Sequence, residues 1–338
     1  MNFKSYMEVR LPDIEETLQN VMNHIIPTEY PELSEMLSYH MGWIGEGAEP
    51  QVRGKRLRSL LVLLTTEACG GDWRKSLPAA TSVGFLHNFS LIHDDIEDNS
   101  DIRRGRPTVW KNWGLPQALN SGDLMFSMAY ASMMQLNEVG HSAEKTLTAL
   151  NILQHTIQEL IQGQHLDMVF ETRREVSLDD YWQMINGKTA ALLASCCQLG
   201  ALTADAKEET QNHLADFGRS MGLAFQVIDD WLGIWGDPEK TGKEVGSDLI
   251  SRKKTIPILY GLKNSINFRM QWQNEIDHNT ISYLADLLST CGAEAHTLAE
   301  ANRLTEEALL SLDAAFPQSN PHVDILRELS NQMTSRTT

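Results

Sequence analysis

The chain has 338 residues, 42% of them hydrophobic, and no Gly/Ser-rich or Pro-rich linker divides it, so a single domain with one large core is expected. Its formal net charge of −17 excludes a broad basic face for nucleic acid and means that an anionic substrate must be drawn in by a local cationic patch. Cys69, Cys196, Cys197 and Cys291 show no CxxC spacing and no disulfide framework, and the opening MNFKSYMEVRLPDIEE is too acidic for a secretory signal or transit peptide. A cytoplasmic location is therefore expected.

Sustained period-2 alternation of β-branched residues is absent, and no NG or DG turn joins such runs, so strands are not expected. Apolar periodicity predicts helices over about 12–24, 30–41, 55–69, 77–99, 116–137, 143–170, 178–203, 207–235 and 255–264, with three more towards the C-terminus. Breaks fall at Gly70-Gly71, Gly105-Arg106-Pro107, Gly140, Gly236-Asp237-Pro238 and between Pro317 and Pro321. Several of these helices are long, with few charges on one side. The fold class they predict is all-α, a single-domain antiparallel helical bundle around a central cavity. The run from Ser76 to His93 holds no Lys, Arg, Asp or Glu, but Pro78, Gly84 and Asn88 mark it as a buried core helix rather than a membrane span. No transmembrane segment is expected.

Along this frame the charges are clustered. Gly54-Lys55-Arg56-Leu57-Arg58 opens a helix, and Lys55 and Arg58, three apart, share a face near an N-terminus that favours anions. The stretch GFLHNFSLIHDDIEDNSDIRRGRPTVW (84–110) begins apolar, with Phe85, Leu86, Phe89, Leu91 and Ile92 on one side, then turns acidic at Asp94, Asp95, Glu97 and Asp98. Asp94 and Asp98 lie one above the other on a helix, and Asp95 lies about 100° round. Carboxylates this close repel unless a cation bridges them, and incomplete all-oxygen coordination is what Mg²⁺ accepts when phosphate supplies the rest. Arg103-Arg104-Gly105-Arg106-Pro107 follows as a cationic corner, so the stretch reads as a site for a diphosphate-bearing substrate. A solvated helix end with mixed charges is the bland alternative, and the apolar lead-in argues against it.

Further on, Gly187-Lys188-Thr189-Ala190-Ala191 heads the apolar run ALLASCCQLGA, where a lysine needs an anionic partner. A second acidic pair, Asp229-Asp230, sits on another long apolar helix. The segment GDPEKTGKE is no phosphate-binding loop of the P-loop type. Five residues rather than four separate Gly236 from Gly242, Lys243 is followed by Glu244, and no strand precedes it.

Taken together, over about residues 50–260, these motifs resemble the trans-isoprenyl diphosphate synthases, or polyprenyl synthetases, of short-chain type. DDxxD followed by RRG matches the family's first aspartate motif without a gap, and Gly163-Gln164-His165-Leu166-Asp167 matches its GQxxD segment. Asp248, Lys253, Thr255 and Pro257 stand at the family's spacing. The second motif departs from the pattern, since Gly233 stands where a third aspartate would be. The resemblance implies condensation of isopentenyl diphosphate with an allylic prenyl diphosphate by a homodimeric enzyme. Lys55, Arg58, His87 and Arg104 would hold isopentenyl diphosphate. Arg103, Lys188, Thr189, Gln226, Lys243 and Lys253 would hold the allylic diphosphate, bridged by three Mg²⁺ ions to Asp94, Asp98 and Asp229, with Asp95 in the same catalytic cluster. Phe89, five residues before Asp94 and so roughly 7.5 Å down the helix at about 1.5 Å per residue, would act as the floor for the growing chain. With small Ser90 above that floor, and without the two-residue insertion of many bacterial farnesyl synthases, geranylgeranyl diphosphate is favoured over farnesyl diphosphate.

Three rivals are weighed against this reading. A class I terpene cyclase ionises one prenyl diphosphate and has no need of the Lys55, Arg58 and Arg104 set. A non-catalytic subunit of a heteromeric prenyl synthase would lose an aspartate motif, of which only Gly233 is a hint. A purely structural helical protein leaves the charges on buried helices unexplained.

Overall fold

The computed structural model describes residues 1–45, 53–237, 246–277 and 280–334. Lys243 lies outside the described residues. Helices dominate, and the only strands among the described residues are a two-residue antiparallel pair, β1 (Ile102–Arg103) and β2 (Arg106–Pro107). Two compact units can be distinguished, one built on Met1–Leu153 with Cys196–Gln211 and Asn320–Ile325, the other on Gln154–Ser195, Asn212–Ser319 and Leu326–Thr338.

In the first unit the helices are α1 (Phe3–Ile25), α2 (Pro31–His40), α3 (Leu57–Ala68), α4 (Leu77–Glu97), α5 (Val109–Trp113) and α6 (Leu115–Met134), and α7 (Ala143–Thr172) begins there. The centre is α4, packed against α1, α3 and, over its greatest length, α6. Every residue from Pro78 to Leu86 is buried, which is why that run carries no charge. Its small residues let neighbours close in: Ser59 Oγ donates to Ala80 O at 2.7 Å, and a Cβ at Gly84 would stand 2.9 Å from that hydroxyl. Pro near the N-terminus starts α4, where its missing N–H is no loss. The helix runs two residues shorter than the sequence indicates and is capped by Asp98 N–H on Asp94 O. Conversely, α1 starts well before residue 12, with the Asn2 side chain accepting from Ser5 N.

Beyond α7 come α8 (Leu178–Ile185), a π-turn (Asn186–Ala190), α9 (Ala191–Thr203), α10 (Glu208–Trp235), α11 (Ser247–Ile250) and α12 (Ile256–Asn264). The chain continues with α13 (Ile266–Trp272), α14 (Ile281–Thr290), α15 (Ala293–Ala315) and α16 (Pro321–Thr334), four helices where three were expected. In the second unit Phe170, Tyr181, Ile185, Val227, Ile228, Ile256 and Leu304 form one apolar cluster. Ile234, Leu249, Ile258, Phe268, Leu284 and Leu288 form another.

The π-turn interrupts what the sequence presents as one helix over 178–203, and its cause is a glycine crossing. A Cβ on Gly187 would lie 2.4 Å from Glu159 O, and one on Gly163 would lie 2.1 Å from Lys188 N. Backbone meets backbone there, so no side chain fits on either side. This crossing fixes Lys188 against α7. Gly163→Ala gains about 1 kcal/mol of helix propensity, but overpacking costs about 3 kcal/mol where the obstacle is backbone. A net loss of about 2 kcal/mol is expected from urea unfolding followed by circular dichroism. Stability equal to the parent's would show that the crossing is not close.

Candidate active site

In the first unit, the two basic segments read from the sequence come together. Gly54 has φ +72°, and a Cβ there would stand 3.0 Å from Arg104 Nη2, so the Arg104 guanidinium lies directly on the Gly54 backbone. Arg104 Nη1 also donates to Arg53 O at 3.3 Å. Lys55 and Arg58 do not share a helix face as the spacing suggested. The left-handed backbone at Arg56 (φ 45°) turns the chain immediately before α3, leaving Lys55 exposed ahead of the helix and Arg58 inside its first turn. Arg56 is the buried anchor of the segment. Its Nε donates to Glu15 Oε1 at 2.8 Å, its Nη2 donates to Met41 O at 2.8 Å, and Trp43 Nε1 donates to Glu15 Oε2 at 2.6 Å. Arg58 Nη1 lies 3.1 Å from His87 Nε2.

The hairpin that carries Arg103 and Arg104 is pinned on both sides. Thr108 Oγ1 and Trp110 Nε1 both donate to Ser100 O, Tyr39 OH donates to Pro107 O, and Arg106 stacks on Tyr39 at 3.8 Å. Arg103 Nε donates to both oxygens of Asp95, at 2.8 and 2.9 Å, and Asp95 is only 2% exposed. Burial raises the Asp95 carboxyl above its ordinary range, against the pull of Arg103. Arginines are concentrated around this corner, four of them from two segments. Arg104 is pulled down to about 10, first by burial and then by Arg56 and Arg103. The imidazoles of His40 and His87 are held well below the ordinary histidine range by burial and the same arginines.

Asp94 and Asp98 end α4 one turn apart, with Asp98 exposed and its carboxylate free of hydrogen bonds or ion pairs to the described residues. Negative charge at a helix C-terminus opposes the helix dipole, so the pair gains nothing from its own helix. Among the described residues no three His, Cys, Asp or Glu side chains are gathered to hold a metal ion. The hard carboxylate oxygens of Asp94 and Asp98 nonetheless fit Mg²⁺, which takes one or two protein carboxylates and completes its shell with phosphate and water. Deeper on α4, Phe89 is 9% exposed and locked edge-on against His93 (4.7 Å) and tilted against Phe126 (5.1 Å). Ser90 Oγ donates to His87 O.

In the second unit, Lys188 Nζ donates to Asp167 Oδ2, so the anionic partner that the sequence demands for this lysine is supplied by the GQxxD segment. Thr189 Oγ1 donates to Gln226 Oε1 at 2.9 Å, and Gln226 Nε2 to Asp230 Oδ1 at 3.1 Å. Asp230 is buried, accepting also from Tyr181 OH at 2.5 Å and from Ile256 N at 3.3 Å, and burial together with Asp248 raises it to about 7. Its neighbour Asp229 is half-buried. Burial weakens the charged form of Lys253, but Asp167, Asp230, Asp248 and Asp229 outweigh it and hold the ammonium above the ordinary lysine range. Burial likewise opposes ionisation of Asp167, and Lys253 and Lys188 overcome it. Gly233 is explained by close approach. A Cβ there would stand 2.3 Å from Asp248 Oδ2, so the Asp248 carboxylate fills the space of the missing side chain.

Thus Lys55, Arg58, His87, Arg103, Arg104 and the α4 aspartates share one unit, while Asp167, Lys188, Thr189, Gln226, Asp229, Asp230 and Lys253 share the other. Arg56, His40 and Tyr181 were missed as participants, and Asp248, placed by the family's spacing, was given no role. Glu15, the partner of Arg56, lies 41 residues away, and Tyr181 lies 49 from Asp230. No local pattern announces such pairs.

The buried histidines carry a consequence for stability. Both bind a proton more weakly folded than unfolded, so below about pH 6.5 the unfolded chain takes up more protons and stability falls as pH falls. Each contributes about 1.4 kcal/mol per pH unit in that range. The urea midpoint is expected to drop between pH 7.5 and 5.5, and the double variant His40→Gln/His87→Gln should drop less. An equal drop in both proteins would place the acid sensitivity elsewhere.

Residues 44–287 match the family described as polyprenyl synthetase. A farnesyl diphosphate synthase of Mycobacterium bovis is 45% identical over 232 residues, which is 68% of this chain and 63% of that protein, so the chain spans less than two thirds of that relative's length. A geranylgeranyl diphosphate synthase of Methanosarcina mazei is 35% identical over 283 residues, covering 84% of this chain and 86% of its own. The crystal structure of a polyprenyl synthetase from Streptomyces coelicolor superposes with a TM-score of 0.87 at 31% identity, over 98% of this chain and 99% of that one. With both aspartate segments and the basic segments inside the matched span, the chain belongs to the polyprenyl synthetase family.

Proposed function

We propose that the chain joins isopentenyl diphosphate to an allylic diphosphate, head to tail, giving a short-chain all-trans prenyl diphosphate in a Mg²⁺-dependent reaction with three ions. The carrying observation is the cationic corner of the first unit, where the Arg104 guanidinium lies on the Gly54 backbone with its proton affinity lowered by burial and then by Arg56, Arg103 and Arg58, and where Arg58 lies against His87. Such a corner suits a diphosphate bound without metal. Arg104, Arg58, Lys55 and His87 orient isopentenyl diphosphate there through charge-assisted bonds. Asp94 and Asp98 on α4, and Asp229 in the second unit, would be metal ligands. When bound, Mg²⁺ would neutralise charge developing on the leaving diphosphate, so that the allylic C–O bond ionises. Lys188, Lys253, Lys243 and Arg103 would bind the allylic diphosphate, with Thr189 and Gln226 beside Lys188. Asp95 positions Arg103, and Asp167 positions Lys188. The double bond of isopentenyl diphosphate then attacks the allylic cation, and the departed diphosphate accepts the proton lost from the new chain.

The purified chain should consume isopentenyl diphosphate only when Mg²⁺ and an allylic starter are present. Arg104→Ala should raise KM for isopentenyl diphosphate at least tenfold with a smaller change in kcat, because the charge on that diphosphate changes little during the reaction. No consumption of isopentenyl diphosphate by the parent would favour a cyclase or a non-catalytic subunit. An effect of Arg104→Ala confined to the allylic substrate would reverse the assignment of the two anion sites.

The product we favour is geranylgeranyl diphosphate, twenty carbons long. The ring of Phe89, held by His93 and Phe126, is rigid enough to serve as a floor one to two turns below Asp94. Phe89→Ala should lengthen the product by one or more isoprene units, read by chromatography of the dephosphorylated prenols. An unchanged product with lowered stability would assign Phe89 to core packing alone.

A further inference from the structure

Outside the candidate site, the second unit holds a cavity of about 590 Å³ whose charge runs against that of the chain. Arg173, Arg174, Arg252, Lys254, Lys263 and Arg269 line it, opposed by only Glu171 and Glu175. Their partners do little to neutralise them. Arg252 donates to Trp272 O, Lys254 to Phe170 O and Glu171 O, and Arg269 to Leu262 O and Lys263 O, all of them carbonyls. Arg173 reaches the carboxylate of Asp180 at 3.3 Å. The side chains of Arg174 and Lys263 are exposed and make no hydrogen bond or ion pair with the described residues. In a chain of net charge −17, a concave surface this basic runs against the overall sign, and concentrated cations in a concave site focus field on an anion.

The cavity is also apolar in part, and it continues. Trp272 stacks on Phe268 at 5.6 Å and carries Arg252 over its ring at 5.4 Å, so an aromatic wall is fixed in place. A second cavity of about 400 Å³ shares Val176, Leu259 and Lys263 with the first and adds Leu178, Ser177 and Asp179. Val176 and Leu178 are half-buried, packed against the Phe170–Tyr181–Ile256 cluster. A basic chamber beside a partly apolar one, with Lys263, Val176 and Leu259 lining both, matches an anionic head with a hydrocarbon tail.

We infer that these joined cavities bind a prenyl diphosphate, the product class of the reaction proposed above and resting on that reading, at a site separate from the aspartates. Arginine forks and lysines take the diphosphate, and Trp272, Leu259 and Val176 cover the first part of the tail. The site is coupled to the chemistry through one turn of chain. Lys254 faces the cavity, while the adjacent Lys253 is held by Asp167, Asp229, Asp230 and Asp248, and Ile256 N two residues on donates to Asp230. A ligand drawing on Arg252 and Lys254 therefore bears on Lys253, which makes the site one of feedback by product.

The test is a calorimetric titration of the full chain and of the double variant R174E/K263E with farnesyl diphosphate, inorganic diphosphate and farnesol, in EDTA. Neither residue belongs to the proposed catalytic set, and both are exposed, so turnover at low product should match the parent's. The parent should bind one more equivalent of farnesyl diphosphate than the variant, with inorganic diphosphate at least tenfold weaker at that site and farnesol absent from it. Added farnesyl diphosphate should inhibit the parent non-competitively against the allylic starter and leave only competitive inhibition in the variant. The milder R174Q/K263Q should show the same loss in smaller measure. Equal stoichiometry and equal inhibition in parent and variant would overturn the site, and equal affinity for inorganic diphosphate would overturn the tail assignment. Failure of the catalytic reading is separate, because it would show as no isopentenyl diphosphate consumption by either protein.

Discussion

Like charge held close in a largely buried setting is the constraint on which the arrangement depends. Bringing Arg56, Arg58, Arg103 and Arg104 together with His40 and His87 is unfavourable, as the proton affinities of the histidines and Arg104, depressed first by burial and then by these arginines, register. The fold tolerates this because selected members are anchored. Glu15 neutralises Arg56 and Asp95 neutralises Arg103, while in the second unit Asp167 does the same for Lys188. Removing one partner of such a buried pair costs about 3–5 kcal/mol, so the anchors are as much a part of the fold as the apolar core.

Position is enforced by glycine as much as by charge. Gly54 admits the Arg104 guanidinium onto its backbone, and the Gly163–Gly187 crossing lays the Lys188 segment on the helix that carries Asp167. In each case a close backbone approach does what a longer side chain would do less rigidly. The π-turn follows from the second of these, since a regular helix could not keep both the crossing and the apolar packing of α9. The π-turn beside Lys188 is thus tied to a visible steric cause.

The sequence carried the helical class, most helix limits and the grouping of acidic and basic residues, because each rests on local periodicity or on charges within a few positions. α4 is the clearest case, its uncharged run read as a buried helix and found so. What stayed illegible depends on distant partners or on single backbone angles. The positive φ of Arg56 detached Lys55 from the helix it was assigned to, and the glycine crossing split the 178–203 helix. The basic cavity draws on residues 171 to 273, where the C-terminal portion shows only amphipathic packing in sequence. Its cations are dispersed along the chain and converge only in space.

Gly233 and Asp248 stand fifteen positions apart, yet the carboxylate of one lies where the side chain of the other would begin. With this backbone, an aspartate side chain at 233 and the present Asp248 carboxylate cannot share that space, so Gly233→Asp would have to push Asp248 aside. Position-by-position comparison of motifs scores a lost acid at the glycine, whereas stereochemically the carboxylate there is contributed by another stretch of chain.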